Sequence, residues 1–216
     1  MIIGFPLLLA PVTASNVDPA APYCWSENAG WIKWRHHAPS PGDGVCVFAT
    51  HLSGFAWAEN LGWIHLGNGA GPYANNPASA ATFGVNVDSL SGELYGKAWG
   101  ENIGWINFDT RTALGSFGDQ ARLDVCENRF RGFAWAENIG WINLDDVSKF
   151  VALGPDCTPG DLACDEVIAV IDVEAFLSLM DGPDSTVNCG AFDADADADI
   201  DLSDFADLQI HFTGEP

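Results

Sequence analysis

Positive charge is scarce in this chain. Its 216 residues hold 8 Lys and Arg against 30 Asp and Glu, a formal net charge of −22. No Lys or Arg occurs in residues 151–216, which carry 16 of the 30 acids. Such a surface repels phosphate backbones and argues against a nucleic-acid partner. Long hydrophobic runs are also missing. The apolar stretch from Ile2 to Val12 is shorter than the roughly 20 residues a membrane-spanning helix needs, so no transmembrane span is expected. There is no Cys-x-x-Cys for a zinc knuckle, no phosphate loop, no dinucleotide fingerprint and no Gly-x-Ser-x-Gly elbow. His36 and His37 are adjacent, but neighbours on a strand point to opposite faces, and a solvated pair is expected rather than a metal site. These absences predict a protein that is not an enzyme.

What is present starts at the N-terminus. The apolar run of residues 1–14 turns small and polar at Val12-Thr13-Ala14, the pattern of a secretory signal peptide. Export to an extracytoplasmic or cell-surface location would suit the six cysteines, because disulfides persist in oxidising compartments. Six cysteines allow 15 pairings; Cys24–Cys46, Cys126–Cys157 and Cys164–Cys189 are the pairs expected here. Nearly half the residues, 48%, are hydrophobic, enough for a packed core.

The main signal is a repeat. Gly132 to Leu144 reads GFAWAENIGWINL, Gly54 to Leu66 reads GFAWAENLGWIHL, Gly96 to Phe108 reads GKAWGENIGWINF, and Tyr23 to Trp34 reads YCWSENAGWIKW. Eight of the nine tryptophans belong to these four copies. Counted from the first Trp of each copy, the periods are 32, 42 and 36 residues, which places the chain among tandem-repeat architectures. Each copy predicts a β-hairpin whose turn lies between the two tryptophans, with Asn tolerating turn geometry and Gly140, or its equivalents Gly30, Gly62 and Gly104, supplying a positive φ. In that register Trp135 lies opposite Trp141. Alternating runs upstream, GVCVFAT from Gly44, FGVNVDS from Phe83 and ARLDVCE from Ala121, add a third strand. The fold expected over residues 22–153 is therefore mainly β, a tandem array of three-stranded meanders that bury their aromatic faces by stacking. Copy one, with Cys24 for Ala and Trp34 for Leu or Phe, has the character of a capping unit. The repeats resemble Gly-Trp-rich hairpin repeats of secreted bacterial proteins, a resemblance that implies no activity.

Two uses for the tryptophans follow from the residues. In the favoured one, each pair is hydrophobic core between stacked units, and Glu-Asn caps turns. In the other, Trp57, Trp63, Trp99, Trp105, Trp135 and Trp141 form aromatic platforms for a polysaccharide, with Glu and Asn meeting its hydroxyls. Both hold together if one Trp of each pair faces outward. The repeated Glu27, Glu59, Glu101 and Glu137 are four equivalent positions, unlike the unique carboxylate pair of a glycan-degrading enzyme.

Beyond residue 153 the pattern changes. DADADADIDLSD places Asp193, Asp195, Asp197, Asp199, Asp201 and Asp204 at positions 1, 3, 5, 7, 9 and 12 of an EF-hand-type calcium loop. Hard Ca2+ takes about six to eight oxygens, which alternating carboxylates on a curled loop supply. Phe205, Leu208 and Phe212 then make a helical apolar stripe. Upstream, DLACDEVIAVID keeps Asp161, Asp165 and Asp172 at positions 1, 5 and 12 but has Ala163 and Ala169 at 3 and 9. One good calcium site is expected, not two. These paired loop–helix units resemble a dockerin module over about residues 157–214. The resemblance implies docking to a cohesin-like protein partner, although Val170-Ile171 and Leu202-Ser203 stand where cohesin-binding dockerins often carry Ser-Thr pairs. The sequence thus leads to an exported, non-catalytic β-repeat protein with a calcium-stabilised docking tail, and to a carbohydrate-binding protein as its alternative.

Overall fold

The computed structural model describes residues 15–36, 44–79, 81–88, 91–114, 119–154, 168, 173, 176, 177, 180, 193 and 199–212. The expected signal peptide, residues 1–14, lies outside them, as does His37. The fold is mainly β: a closed antiparallel barrel with accessory strands and a C-terminal helix.

Each of the four copies is a hairpin. They are β1 (Val17–Ser26) with β2 (Gly30–Lys33), β4 (Leu52–Ala58) with β5 (Gly62–Gly67), β7 (Leu94–Gly100) with β8 (Gly104–Asn107), and β11 (Phe133–Ala136) with β12 (Gly140–Asn143). Trp25, Trp57, Trp99 and Trp135 pair across the strands with Trp31, Trp63, Trp105 and Trp141. The turn is tighter than the sequence suggests, because Ala136 pairs with Gly140 and leaves Glu137-Asn138-Ile139 as the loop. Ile103 and Leu61 donate their N–H groups back to the carbonyls of Gly100 and Ala58, and Gly30, Gly62, Gly104 and Gly140 follow at φ of 76–82°. This is a type I turn closed by a left-handed residue, the geometry for which Gly is selected.

Neighbouring hairpins pair β2 with β4, β5 with β7 and β8 with β11. The ring closes where Trp25 and Ser26 of β1 meet Asn143 and Ile142 of β12. The hairpins thus close into an eight-stranded barrel in which each has two neighbours, a closure the sequence left open. Closure removes the exposed sheet edges that a stack would leave at its ends, and copy one caps nothing.

The third strands sit outside this ring: β3 (Val45–Val47) pairs with β4, β6 (Val85–Val87) with β7, and β9 (Arg122–Asp124) with β10 (Arg129–Arg131), which runs through Gly132 into β11. β13 (Val151–Leu153) joins β10 to β1. Their approach explains the Gly that opens the repeat. A Cβ on Gly54, Gly96 or Gly132 would lie 2.3, 2.3 or 2.0 Å from the carbonyl oxygen of Gly44, Gly84 or Gln120.

The barrel interior is filled by three tiers. Ala29, Ile103 and Ile139, with partly buried Leu61, close the turn end; Ile32, Ile64, Ile106 and Ile142 face Cys24, Ala56, Ala98 and Ala134; and Trp34, Leu66, Phe108 and Leu144 close the other end. An eight-stranded barrel is just wide enough for such packing. Residual space between the lower tiers is ≈ 10 Å³, at the lower limit for one water. The interior is a core and not a ligand container.

The two departures of copy one compensate each other. Trp34 Nε1 donates to Cys24 Sγ at 3.2 Å, so the larger indole brings a polar group whose acceptor is the residue that replaced Ala. Burial pushes the Cys24 thiol up to about 12. The expected Cys24–Cys46 disulfide is absent: both are reduced. Cys24 faces the barrel interior, whereas Cys46 occupies the face of β3 opposite the core residues Val45 and Val47. Cys126 is disulfide-bonded; Cys157, Cys164 and Cys189, with which the other two expected pairs are made, lie outside the described residues.

Helices α1 (Arg111–Leu114) and α2 (Leu202–His211) follow the strands, and the described residues Val173, Phe176 and Leu177 are helical too. Ile168, Phe176, Ile200 and Leu208 form a second small core, against which Val125 and Cys126 of the β9–β10 turn pack. Phe205 joins it, while Phe212 of the expected stripe is exposed at the end of α2.

Candidate functional site

Alternation puts each Trp on the face opposite its strand neighbours. In Ala-Trp-Ala and Gly-Trp-Ile, the Ala and Ile face inward, so each Trp faces outward. Trp31, Trp99, Trp105, Trp135 and Trp141 are 36–41% exposed, and Trp25, Trp57 and Trp63 are partly buried. This corrects the favoured expectation that the pairs are core between stacked units. Four hairpins supply inward volume for Ile and Ala, and a barrel this narrow has no room for eight more indoles.

The four pairs share one geometry. Ring centroids are 4.6–4.7 Å apart with interplanar angles of 62–67°, an edge of one indole against the face of the other. Such aromatic pairs contribute about 0.5–1.5 kcal/mol beyond their area burial. Two residues before the first Trp of each copy, on the same outer face, stand Tyr23, Phe55, Lys97 and Phe133. Tyr23, Phe55 and Phe133 pack on Trp31, Trp63 and Trp141, and the Lys97 ammonium sits 5.8 Å from the Trp105 ring centre.

Between the second and third hairpins the aromatic surface is continuous. Phe55 stacks on His65 at 4.4 Å, His65 meets Phe83 at 5.1 Å, and Phe83 meets Trp105 at 5.3 Å. His36 packs on Trp63 at 4.8 Å. Burial holds the His65 imidazole below its ordinary value, partly offset by a backbone hydrogen bond at Gly67. Neither His65 nor Phe83 was singled out by the repeat, although His65, two residues after Trp63 on one strand, could have been placed on its face by period-2 counting.

The turn residues divide their work. Asn28 Nδ2 donates to the carbonyl of Ile139, Asn60 to Ala29, Asn102 to Leu61 and Asn138 to Ile103, at 2.8–3.1 Å. Each Asn therefore ties its hairpin to the preceding one, and the four bonds run once around the barrel mouth. The neighbouring Glu27, Glu59, Glu101 and Glu137 are exposed and form an acidic rim beside the indoles.

In the tail, Asp199, Asp201 and Asp204 bring one carboxylate oxygen each to within 4.8 Å of one another. They occupy positions 7, 9 and 12 of the expected loop, and Asp199 and Asp204 are buried. Asp201 and Asp204 also cap α2: Asp201 Oδ1 accepts from Ser203 N at 2.7 Å, and Asp204 Oδ2 from Asp201 N at 2.8 Å. Asp193 is described but is not in this group; Asp195, Asp197, Asp161, Asp165 and Asp172 lie outside the described residues. No described helix is long and apolar enough to cross a membrane.

Compared with family models, with curated proteins and with solved structures, the chain matches none.

Proposed function

We propose that the protein is a non-catalytic, exported glycan-binding barrel, whose outward tryptophan pairs are its binding faces and whose tail is a calcium-stabilised docking module. The observation that supports the glycan reading is the exposure of the tryptophans on a barrel whose core is complete without them. Sugar rings offer apolar C–H faces edged by hydroxyls. Each hairpin offers a partly exposed indole surface with a free-standing Glu at the turn, able to accept from those hydroxyls. The net charge of −22 favours neutral over phosphate-bearing or acidic polymers. Four similar faces on one rigid barrel suit a polymer with repeating units, since linked weak contacts raise avidity by about 10²–10⁴.

The test is binding to a panel of neutral polysaccharides, read by gel retardation and by quenching of tryptophan emission. Retardation by at least one polymer, weakened in Trp105→Ala and further in Trp105→Ala/Trp141→Ala, is the expected result. An unretarded wild-type protein across the panel would refute it.

The docking reading rests on Asp199, Asp201 and Asp204. Their donor set is all oxygen, which suits Ca2+, and three converging carboxylates repel one another unless a cation or proton intervenes. Calcium would then brace the start of α2. Titration of the full chain with Ca2+ should raise its resistance to urea, and no shift at millimolar Ca2+ would remove the metal from this account.

A further inference from the structure

The chain has three lysines, Lys33, Lys97 and Lys149. All three bring their ammonium to 5.7–5.8 Å from the centre of a ring on the outer aromatic faces of the barrel: Lys33 and Lys149 over Tyr23, and Lys97 over Trp105. A cation within about 6 Å of a ring centre is attracted by the negative face of its π system. The protein's own side chains thus probe these faces, and what they report is an affinity for ammonium. The fourth hairpin has Phe133 where the third has Lys97. Among the described residues, no Lys or Arg lies over Trp135 or Trp141. Those two indoles are 37% and 38% exposed.

The turns supply the counter-charge. Glu27, Glu59, Glu101 and Glu137 are exposed, and none is in an ion pair with a described Lys or Arg. In the fourth hairpin the bonds that hold the turn come from Asn138 and Ile139, and Glu137 is left to solvent. A fixed negative charge beside an exposed aromatic pair is more than a neutral sugar needs, because an uncharged acceptor serves a hydroxyl. It is the set that recognises ammonium: the rings attract the cation, and the carboxylate takes a charge-assisted hydrogen bond from it. Anions are disfavoured by the net charge of −22. Among cations, an amino sugar matches both parts at once. Its ring offers apolar C–H groups to the indoles, and its amine hangs from that same rigid ring. A lysine side chain carries its ammonium on a flexible stem and loses more rotamer entropy when held.

We propose that the Trp135–Trp141 face and Glu137 bind a protonated amino sugar, and that the protein prefers a polymer with free amines to its N-acetylated counterpart. This rests on the tryptophan pairs being glycan-binding faces, and it narrows the glycan to a cationic class.

The full ¹⁵N-labelled chain is titrated with a glucosamine tetramer, at a pH that keeps its amines protonated, and with the N-acetylglucosamine tetramer under the same conditions. The indole N–H signals of Trp135 and Trp141 are assigned by their loss in Trp135→Phe and Trp141→Phe. The free-amine tetramer should shift them with an affinity about tenfold above that of the acetylated one, a difference of 1.4 kcal/mol. Glu137→Gln keeps an acceptor for hydroxyls and removes the charge, so it should abolish that preference at these two signals. Trp105, whose ring already carries Lys97, should show a smaller preference in the parent. Equal shifts with both tetramers, or a preference unchanged in Glu137→Gln, overturn the proposal and leave the glycan reading standing. Indoles that stay silent with both tetramers defeat the proposal and the glycan reading together. Shifts confined to residues 151–216, or an equal indole response to tetralysine, would reveal charge attraction alone and overturn it as well.

Discussion

Replacing Asn102 with Ala removes the one hydrogen bond that ties the third hairpin turn to the second, the 2.9 Å contact from Nδ2 to the Leu61 carbonyl. An intramolecular hydrogen bond contributes a net 0.5–1.5 kcal/mol, and an acceptor left without its partner adds to the loss. Since the turn is solvent-exposed, water replaces part of the contact, and a cost of about 1 kcal/mol is expected. For a chain of this length that lowers Tm by about 2–4 °C. Asn60→Ala and Asn138→Ala should behave alike, because their carbonyl partners have the same geometry. Asn28→Ala should cost less. At that junction, where β1 closes on β12, Ser26 Oγ also donates to the Ile139 carbonyl, at 3.3 Å, whereas Ala58, Gly100 and Ala136 occupy the equivalent positions and have no hydroxyl. The double variant Ser26→Ala/Asn28→Ala should therefore lose more than the sum of its single variants. Urea unfolding followed by circular dichroism measures all six, the single variant Ser26→Ala included. Equal stability of Asn102→Ala and the parent, or a larger loss for Asn28→Ala than for Asn102→Ala, would refute the hydrogen-bonded ring.

Three further outcomes follow from the same geometry. Ile106→Ala, which empties part of the barrel, should cost about 2–5 kcal/mol, and its sequence neighbour Trp105→Ala clearly less, since Trp105 is 40% exposed; urea midpoints of the pair decide this. His65 has its pKa lowered by burial between Phe55 and Phe83, so the folded state binds fewer protons than the unfolded one: its contribution is intact above about pH 6.5 and is lost as pH falls from there toward the folded pKa. His65→Phe keeps the stack and removes the titration, so the stability of the variant relative to the parent should rise between pH 7.5 and 5.5, and a pH-independent difference would contradict the assignment. Asp199→Asn leaves the Asp201–Asp204 capping box intact and removes one of three mutually repelling carboxylates, so it should abolish any calcium-induced stabilisation while raising metal-free stability; Asp204→Ala should lose the calcium effect and the cap, the cap alone being worth about 1 kcal/mol.

The hairpins were legible because their information is local. Trp-Glu-Asn-x-Gly-Trp sets turn chemistry and register within a few residues, and the third strands announce themselves by alternation in VCV, VNV and RLD. Closure was not legible. It depends on Trp25 and Ser26 finding Asn143 and Ile142 across most of the chain, and no local pattern encodes that pairing. Nor could alternation say which face turns inward, since Trp and its neighbours Ala and Ile are all apolar. Volume settles the question: an eight-stranded barrel accommodates one Ile and one Ala per hairpin in its middle tier and leaves the indoles outside. The oddity of copy one, Cys24 with Trp34, became intelligible only when the two met inside the barrel. In the tail, the carboxylates of Asp199, Asp201 and Asp204 converge.

The most direct test of the central claim is acrylamide quenching of native tryptophan emission, in the parent and in Trp34→Phe. Outward-facing pairs predict strong quenching of most of the emission, with the small protected fraction lost in Trp34→Phe, since Trp34 is 2% exposed. Emission that is largely protected in the folded parent, and released only by urea, would place the indoles inside and overturn the assignment of the tryptophan pairs as binding faces.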